Sequence, residues 1–460
     1  MVNINLDLQI HNFLSQPLKN DDHFDSAKIA ILDTLGCIIE ASSHDEVNSF
    51  AVRDKSFKLF SNPFLNLGKL NSYQDVAWYL TVLTRWFDYN DTFLAQEWAH
   101  PSDNFGSIYS YFYSNPNFKF IDFTTALTKA YEIQGSLCLG TSLNKLGYDH
   151  VFYVKLASGA VFSSLLSKGD EKTVQRTINH ILLDGPTLRS YRHFPNVGKR
   201  KSWAAADASK RGIDLATISQ LNDEVYKSIQ NDKNWGFEKT YLNESGIKFG
   251  KELNDWVIQN VLFKVLFPAE FHGQSAVEGA IKLSKEFNQN IDKVNKINIF
   301  THEPAIRIIA NKENLSNASD RDHSLEYMVS AALLFGELKY EMYGDDFSGL
   351  NKIENLRKKI FVSEDSNFTN NYYEFSKRHI SNSIEIVYDD NSTSEKITIE
   401  NPIGHPSRRE EAVPLLKEKF IRNVQNVFSS EKSISLWEKV INLQKDDELT
   451  KFFNILQDDE

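Results

Sequence analysis

Apolar residues follow a helical period through the first half of this chain and a period of two after about residue 290, so the sequence predicts two kinds of structure. Between residues 24 and 267, the segments 27–39, 77–87, 125–139 and 151–166 place apolar groups at i, i+3, i+4 and i+7. Few polar residues interrupt these segments, which favours helices buried on several sides. The chain has 460 residues, more than one hydrophobic core usually holds, so two domains are expected.

The later part of the chain mixes strand and helix patterns. Segments that alternate apolar and polar residues, as strands do, lie at 296–301, 383–388 and 396–400. The last two flank the turn-rich segment 389–393, which predicts a hairpin. Helical patterns lie at 276–287 and 323–335, so a small α+β unit is expected here.

After Pro406 the chain returns to helical patterns, at 407–427 and 434–443. We therefore predict a mainly α fold, a large all-α helical bundle domain with an inserted smaller α+β lid domain. The first part of the bundle spans 1–269, the lid spans 270–405, and C-terminal helices in 406–460 return to the bundle.

The charge balance and the cysteine count limit the function classes. A net charge of −11 and a pI near 5.6 argue against a nucleic-acid-binding protein, which needs a clustered basic surface. The two cysteines, Cys37 and Cys138, do not make a disulfide framework. The N-terminus lacks a signal-peptide or transit-peptide pattern, and no apolar run reaches membrane-spanning length. We expect a cytoplasmic protein with no membrane or nucleic-acid partner.

Absent motifs narrow the chemistry further. The chain contains no GxxxxGK[ST], GxGxxG, HExxH, CxxC or GxSxG pattern. Phosphoryl transfer, hydride transfer, zinc hydrolysis and serine hydrolysis therefore lack their usual sequence support. Histidines and lysines near turns remain, and these suit acid–base chemistry on an anionic substrate.

One short segment concentrates groups that can carry protons. Residues 88–104, DYNDTFLAQEWAHPSDN, hold acidic, hydroxyl and imidazole side chains between helical patterns. The proline after His100 biases it toward an extended or turn conformation, so it is expected to project into a cleft. Asp88 and Thr92 lie four apart and share one face if the segment is helical. The alternative interpretation is a capped helix end, in which Thr92 and Ser102 bind free backbone amides.

Five segments, in order along the chain, resemble the 2-methylcitrate dehydratases of the MmgE/PrpD superfamily. They are 85–104 (RWFDYNDTFLAQEWAHPSDN), 184–208 (with DGPTLRSYRH and RKSWAAADA), 267–274 (FPAEFHGQ), 320–324 (DRDHS) and 402–406 (PIGHP). The resemblance extends from about residue 30 to the C-terminus. Ala206 stands where most members are expected to have glycine.

The resemblance implies an enzyme that converts 2-methylcitrate to 2-methyl-cis-aconitate in propionate catabolism, through the methylcitrate cycle, and leaves open activity on citrate or cis-aconitate. It implies a homodimer that acts on a small tricarboxylate without a cofactor. Two cysteines cannot supply the three thiolates of an aconitase-type cluster, so a cluster-independent hydro-lyase is expected. Two alternatives remain: an aconitate-type decarboxylase or isomerase, and a non-catalytic tricarboxylate-binding member.

The resemblance also assigns site residues. The catalytic ones are Asp88, Thr92, His100 and His150, and the substrate-binding ones are Lys201, Lys264 and His272. We provisionally take His100 as the base, oriented by Asp88, with His150 and Thr92 nearer the leaving hydroxyl. The sequence does not decide whether His100 or His150 is the base. Fixed lysine ammonium groups would stabilise the charge that develops on the substrate carboxylates.

Several of these residues also have a purely structural interpretation. His150 can cap the helix that follows it, and Lys264 can be a helix lysine with its ammonium in water. Lys201 ends a run of three cations, which is usually solvated. Glu270 stands where related decarboxylases have histidine, with His272 two residues on, and this difference favours the dehydratase branch. Contacts between lid and bundle are expected from Arg321, His323 and His405.

We predict that catalysis needs no metal ion, because the sequence offers two separated cysteines and no cluster of metal ligands. Dialysis against EDTA should leave the rate of double-bond formation unchanged. Loss of activity that one particular metal restores would contradict this prediction.

Overall fold

The computed structural model describes residues 5–19, 21–52, 59–192, 196–221, 224, 226, 228–287, 291–310 and 314–458. His193, in the second of the five resembling segments, lies outside these ranges. The protein is 60% helical with small sheets, which confirms the predicted mainly α fold. Within the described residues, no helix is both long enough and apolar enough to cross a membrane.

The first part of the chain forms a helical bundle. Its helices are α1 (Leu6–Ser15), α2 (His23–Ser42), α3 (Asp45–Val52), α4 (Tyr73–Arg85), α5 (Phe105–Ser114), α6 (Phe120–Gly140), α7 (Val151–Leu166), α8 (Glu171–Asp184), α9 (Arg200–Leu221), α10 (Phe237–Tyr241) and α11 (Trp256–Gln259). Side-chain caps fix several starts, as where Ser72 accepts the Asp75 amide of α4 at 3.1 Å. Between α4 and α5, the short strands β1 (Phe93–Leu94) and β2 (Trp98–Ala99) form a hairpin.

Helices α7 and α9 pack closely because each carries a glycine at the contact. A Cβ on Gly159 would lie 3.1 Å from the carbonyl oxygen of Gly212. Near their starts, Val151 of α7 and Ala204 of α9 belong to one small apolar cluster. The N-terminal ends of the two helices therefore meet, which brings the side chains at these ends to one place.

An α+β unit follows from residue 267. Its strands are β3 (Val294–Thr301), β4 (Ile360–Glu364), β5 (Asn382–Tyr388) and β6 (Ile397–Ile399), and its helices are α12 (Gln274–Phe287), α13 (Glu303–Ile309), α14 (Ala318–Arg321), α15 (Leu325–Phe335), α16 (Leu350–Arg357) and α17 (Ser366–Tyr373). The sheet order is β4-β3-β5-β6, with β3 and β4 parallel and the other neighbours antiparallel. Helix α12 packs on β5, β6 and α15.

The last helices are α18 (Arg409–Val424), α19 (Ser430–Ile441) and α20 (Leu449–Gln457). Their apolar residues join the hydrophobic core of the bundle, and α18 packs on α2. A second core lies within residues 267–386. The second core includes Phe267 and Ala269, so the division of the chain at 269/270 and 405/406 stays a prediction.

The structure corrects several sequence predictions. Helix α4 ends at Arg85, so Asp88 and Thr92 do not share a helix face. The amide of Thr92 instead donates to the Leu262 carbonyl oxygen at 2.8 Å, in a β-bridge. Strand β4 was not predicted, because only its first residue, Ile360, is fully buried and the alternation is weak. Helix α20 was also not predicted.

We predict that Lys419 of α18 is important for stability. Its buried ammonium donates to the Asp33 carboxylate at 2.7 Å and to the carbonyl oxygens of Tyr89 and Lys264 at 2.7 and 2.8 Å. Lys419→Met leaves Asp33 buried without its cation, so the free energy of unfolding should fall by about 3–5 kcal/mol in urea denaturation.

The matched control is Lys417→Met in the same helix. Lys417 forms a half-exposed ion pair with Glu438, so its loss should change the unfolding free energy by less than about 1 kcal/mol. Equal small effects of both variants would show that the buried pair does not stabilise the fold.

Candidate active site

Six of the seven predicted site residues line one cavity between the bundle and the lid: Asp88, Thr92, His100, His150, Lys201 and Lys264. Its other lining residues are Arg85, Leu94, Trp98, Arg189, Arg192, Ser202, Glu270, Phe271, Ile308 and His323.

The hairpin β1–β2 places Thr92 and His100 opposite each other, one residue beyond its last pair. The Nδ1 atom of His100 lies 3.4 Å from Thr92 Oγ1 and 2.7 Å from the carbonyl oxygen of Asp91. Thr92 is bridged to Leu262, two residues before Lys264. The hairpin therefore carries two site residues and is anchored to the segment that carries a third.

Asp88 holds two cations at the cavity. Its backbone is in the left-handed region, with φ of 50°, which few non-glycine residues adopt. Its carboxylate lies 2.7 Å from Arg85 Nη1 and 2.8 Å from Lys264 Nζ, and Lys264 also donates to the Asp88 carbonyl oxygen. Burial disfavours the charged form, but Lys264 and Arg85 outweigh burial and hold the pKa of Asp88 well below its usual value.

A backbone carbonyl fixes the tautomer of His100. The carbonyl oxygen of Asp91 can only accept, so Nδ1 carries the hydrogen and Nε2 keeps a free lone pair. Nε2 lies 3.7 Å from Asp88 Oδ1. Burial, helped by the nearby Arg85, lowers the pKa of His100 well below its usual value, so the ring is neutral. His100 is therefore oriented by its hydrogen bond to the Asp91 carbonyl oxygen. The prediction that Asp88 orients this ring is wrong.

His150 precedes α7 and is almost completely buried. Neither ring nitrogen has a hydrogen-bond partner among the described residues, and its ring centroid lies 6.0 Å from that of His100. His150 does not cap α7, because Asp149 Oδ1 accepts the Val151 amide at 3.1 Å. Burial lowers the pKa of His150 well below its usual value. Its ring is therefore a neutral group beside the cavity, with Nδ1 3.5 Å from Asp149 Oδ1.

Two arginines at the cavity share the carboxylate of Asp149. Arg192 Nε lies 2.5 Å and Arg189 Nη1 lies 3.9 Å from Asp149 Oδ2. Burial works against the charged form, but Arg192 and its neighbours hold the pKa of Asp149 far below its usual value. Arg85, Arg189 and Arg192 were not predicted as site residues. All three lie in the resembling segments, but nothing in the sequence shows that these side chains are buried and paired.

Lys201 connects the bundle to the lid. Its ammonium lies 2.6 Å from both carboxylate oxygens of Asp322 and 3.2 Å from His323 Nδ1. His323 is therefore a contact between lid and bundle, as predicted, and it also lines the cavity. Arg321 does not make the predicted contact to the bundle, because it donates to the Tyr343 carbonyl oxygen inside the lid.

His272 was predicted to bind substrate, and its placement corrects this. It does not line the cavity, and its ring is fully buried. Its Nδ1 lies 2.9 Å from Glu270 Oε1, and its Nε2 lies 3.1 Å from the Tyr372 hydroxyl. Glu270 lies between His272 and the open space, so the lid presents a carboxylate to the cavity.

The charges of the cavity suit a polyanion. Five cationic side chains line it, namely Arg85, Arg189, Arg192, Lys201 and Lys264, against two carboxylates, Asp88 and Glu270. The two neutral histidines, His100 and His150, lie among them. Across the described part of the chain, no three His, Cys, Asp or Glu residues are arranged to hold a metal ion.

Family models and curated relatives match most of this chain. The models of the MmgE/PrpD N-terminal domain and the MmgE/PrpD C-terminal domain match residues 10–250 and 267–443. The chain belongs to the MmgE/PrpD family. It is 36% identical over 460 residues to a probable 2-methylcitrate dehydratase of Saccharomyces cerevisiae, covering 95% of this chain and 88% of that protein. It is 38% identical to the mitochondrial 2-methylcitrate dehydratase of Yarrowia lipolytica (88% of this chain, 80% of that protein) and 37% identical to the 2-methylcitrate dehydratase of Escherichia coli K12 (88% and 86%).

We predict that the Asp149 carboxylate stabilises the fold by balancing the positive charges of Arg189 and Arg192. Asp149→Asn preserves the cap of α7 but leaves Arg189 and Arg192 buried without a counter-charge, so the free energy of unfolding should fall by about 3–5 kcal/mol. The control is Asp21→Asn, whose partner Lys445 has a 43% exposed side chain, and only a small loss is expected. Thermal and urea unfolding measure both. An Asp149→Asn protein as stable as the control would contradict the prediction.

Proposed function

We propose that this chain is a 2-methylcitrate dehydratase, a cluster-independent hydro-lyase that converts 2-methylcitrate to 2-methyl-cis-aconitate in propionate catabolism. One observation carries the proposal: five cations surround an imidazole whose unprotonated nitrogen is fixed at the cavity. The named relatives in bacteria and fungi support the same activity.

The cations suit both the substrate and the transition state. 2-Methylcitrate carries three carboxylates, and removal of a proton from the carbon beside one of them moves charge onto its oxygens. Lys201, Lys264 and the arginines are fixed by ion pairs before substrate binds, so they need little rearrangement when that charge develops. Their effect is larger in a buried cavity than in water.

His100 is proposed as the base. Its Nδ1 is occupied by the Asp91 carbonyl oxygen, so Nε2 is the atom that accepts the carbon-bound proton. The ring is neutral because burial lowers its pKa. Once protonated, Nε2 lies close to the ionised carboxylate of Asp88, 3.7 Å away, which stabilises the imidazolium.

His150 and Thr92 are proposed to orient the substrate hydroxyl. Both line the cavity beside His100, and neither ring nitrogen of His150 makes a hydrogen bond among the described residues. A neutral imidazole and an alcohol are good hydrogen-bonding groups but weak acids, so neither is a strong proton donor to a departing hydroxyl.

The proposed activity is tested by incubating the purified protein with 2-methylcitrate and following the ultraviolet absorbance of the new double bond. Formation of 2-methyl-cis-aconitate supports the proposal. Release of CO₂ from cis-aconitate without dehydration would identify a decarboxylase instead. Calorimetric binding of the tricarboxylate without turnover would identify a binding protein.

We also propose that the protein is a cytoplasmic homodimer, an expectation that rests on the family resemblance and on the several helices that are apolar on more than one face. Multi-angle light scattering at micromolar concentration should give twice the chain mass of 52.8 kDa. A monomer mass at that concentration would contradict the proposal.

We predict different kinetic effects for His100 and Lys201. His100→Ala should lower kcat by roughly 10²–10⁴-fold with KM within a few-fold, because proton transfer occurs only in the transition state. Lys201→Ala should raise KM, and lower kcat too if the ammonium meets the developing charge. Lys201→Arg need not restore activity, because a planar guanidinium does not replace a compact ammonium.

Lys199→Ala is the matched control, since Lys199 is an exposed lysine of the same charge run that pairs with Glu46. It should leave both constants unchanged. Near-normal turnover by His100→Ala would remove His100 from the chemistry and make His150 the next candidate base.

A further inference from the structure

The lid presents a second acid–base pair to the cavity, formed by Glu270 and His272. Glu270 lines the cavity, and its Oε1 lies 2.9 Å from Nδ1 of His272, which is fully buried behind it. The steps described so far do not use this pair. They also leave the departing oxygen of the substrate without a strong proton donor.

Each ring nitrogen of His272 contacts an oxygen atom. Its Nε2 lies 3.1 Å from the hydroxyl oxygen of Tyr372, and that hydroxyl donates in turn to the Ala95 carbonyl oxygen at 3.4 Å. Burial raises the pKa of Tyr372 well above its usual value, so the phenol keeps its proton and its oxygen accepts from Nε2. Both ring nitrogens therefore face oxygens that can accept a hydrogen bond, and the Glu270 carboxylate can only accept from Nδ1.

Glu270 differs from the other cavity carboxylate. Asp88 is bound to two cations, at 2.7 and 2.8 Å, whereas the described contacts of the Glu270 carboxylate are the His272 ring and the His272 amide, the amide at 2.8 Å. Burial disfavours its charged form, but His272 outweighs burial and lowers the pKa of Glu270 to about 2. Glu270 and His272 thus hold one proton between them at a short contact.

A carboxylate at this position has one favourable partner on a hydroxylated tricarboxylate. The three substrate carboxylates repel Glu270 and are attracted to the five cations elsewhere in the cavity. The hydroxyl is the remaining polar group, and it can both donate to Glu270 and receive a proton from it.

We propose that Glu270 is the general acid that protonates the departing hydroxyl, and that His272 is the positioning residue that holds and resupplies this proton. The inference rests on the proposed dehydratase function and assigns the group that completes it.

The proton and electron balance is closed within the cavity. The Glu270 carboxyl, which takes the proton from His272 Nδ1, delivers it to the hydroxyl oxygen as the C–O bond breaks, and the C–O electron pair leaves with the water formed. His100 Nε2 takes the proton from the neighbouring carbon, and the C–H electron pair becomes the new double bond. The Glu270–His272 pair has lost one proton and His100 has gained one. Exchange with water on product release restores both.

The test compares two leaving groups in Glu270→Gln, which keeps the side-chain shape and removes the transferable proton. One substrate is 2-methylcitrate, and the other is its analogue with chlorine in place of the hydroxyl, because chloride leaves without a proton. We expect kcat for dehydration to fall by about 10²–10⁴-fold, with elimination of HCl within about five-fold of the unmodified protein. His272→Asn should show the same split, whereas a merely structural role would slow both reactions.

The matched control is Glu354→Gln, which changes a lid glutamate that pairs with Arg357 at 2.8 Å and does not line the cavity. It should leave both reactions unchanged. Dehydration by Glu270→Gln within about five-fold of the unmodified protein, or an equal loss on both substrates, would overturn the proposal.

If Glu270→Gln does not fold, Glu270→Asp provides the same test, since it withdraws the carboxyl by one methylene and keeps its charge. A loss confined to 2-methylcitrate supports the proposal, and unchanged or equally reduced rates overturn it. Failure of the unmodified protein to dehydrate 2-methylcitrate would overturn the proposed function itself, which separates the two results.

Discussion

The ionised carboxylate of Asp88 is the interaction on which the cavity depends. It lies between Arg85 and Lys264, and each of these cations would be very costly to bury without a counter-charge. Asp88 has a left-handed backbone, and its own carbonyl oxygen also accepts from Lys264. Lys419 of the C-terminal helix α18 then holds the carbonyl oxygens of Tyr89 and Lys264. The last part of the chain therefore fixes the site that the first part supplies, and the charges are in place before a ligand arrives.

The lid contacts the bundle through lysine and arginine side chains, the same cationic groups that line the cavity. Lys201 holds the carboxylate of Asp322 in this structure, which marks a position at which a carboxylate binds. Trp98 of the hairpin lies between Arg189 of the bundle and Arg307 of the lid, with guanidinium-to-ring distances of 4.9 and 5.4 Å. The contacts between lid and bundle therefore involve cations that line the cavity or lie next to it.

The sequence was a good guide to the elements and a partial guide to the site. Long helical periods predicted α6 and α7 closely, and alternation predicted β3 and β5, because these elements bury regular faces. The strand β4 has little buried surface, and no local pattern distinguishes it from a loop. At the site, the family resemblance predicted six of the residues that line the cavity, but not its three arginines or the ion pairs. Glu270 and His272 illustrate why sequence alone was insufficient. They lie two positions apart, and only the fold determines which of the two side chains lines the cavity.

The fold sets the charges of the cavity before substrate binds. The most direct measurement is isothermal titration calorimetry of tricarballylate, which has three carboxylates and no hydroxyl, at pH 7 in buffers with different enthalpies of ionisation. If the lysines and arginines are already charged and His100 and His150 stay neutral, the number of protons exchanged on binding should be close to zero. Uptake of about one proton or more per bound ligand would show that the site acquires its charge only on binding, and it would contradict the account.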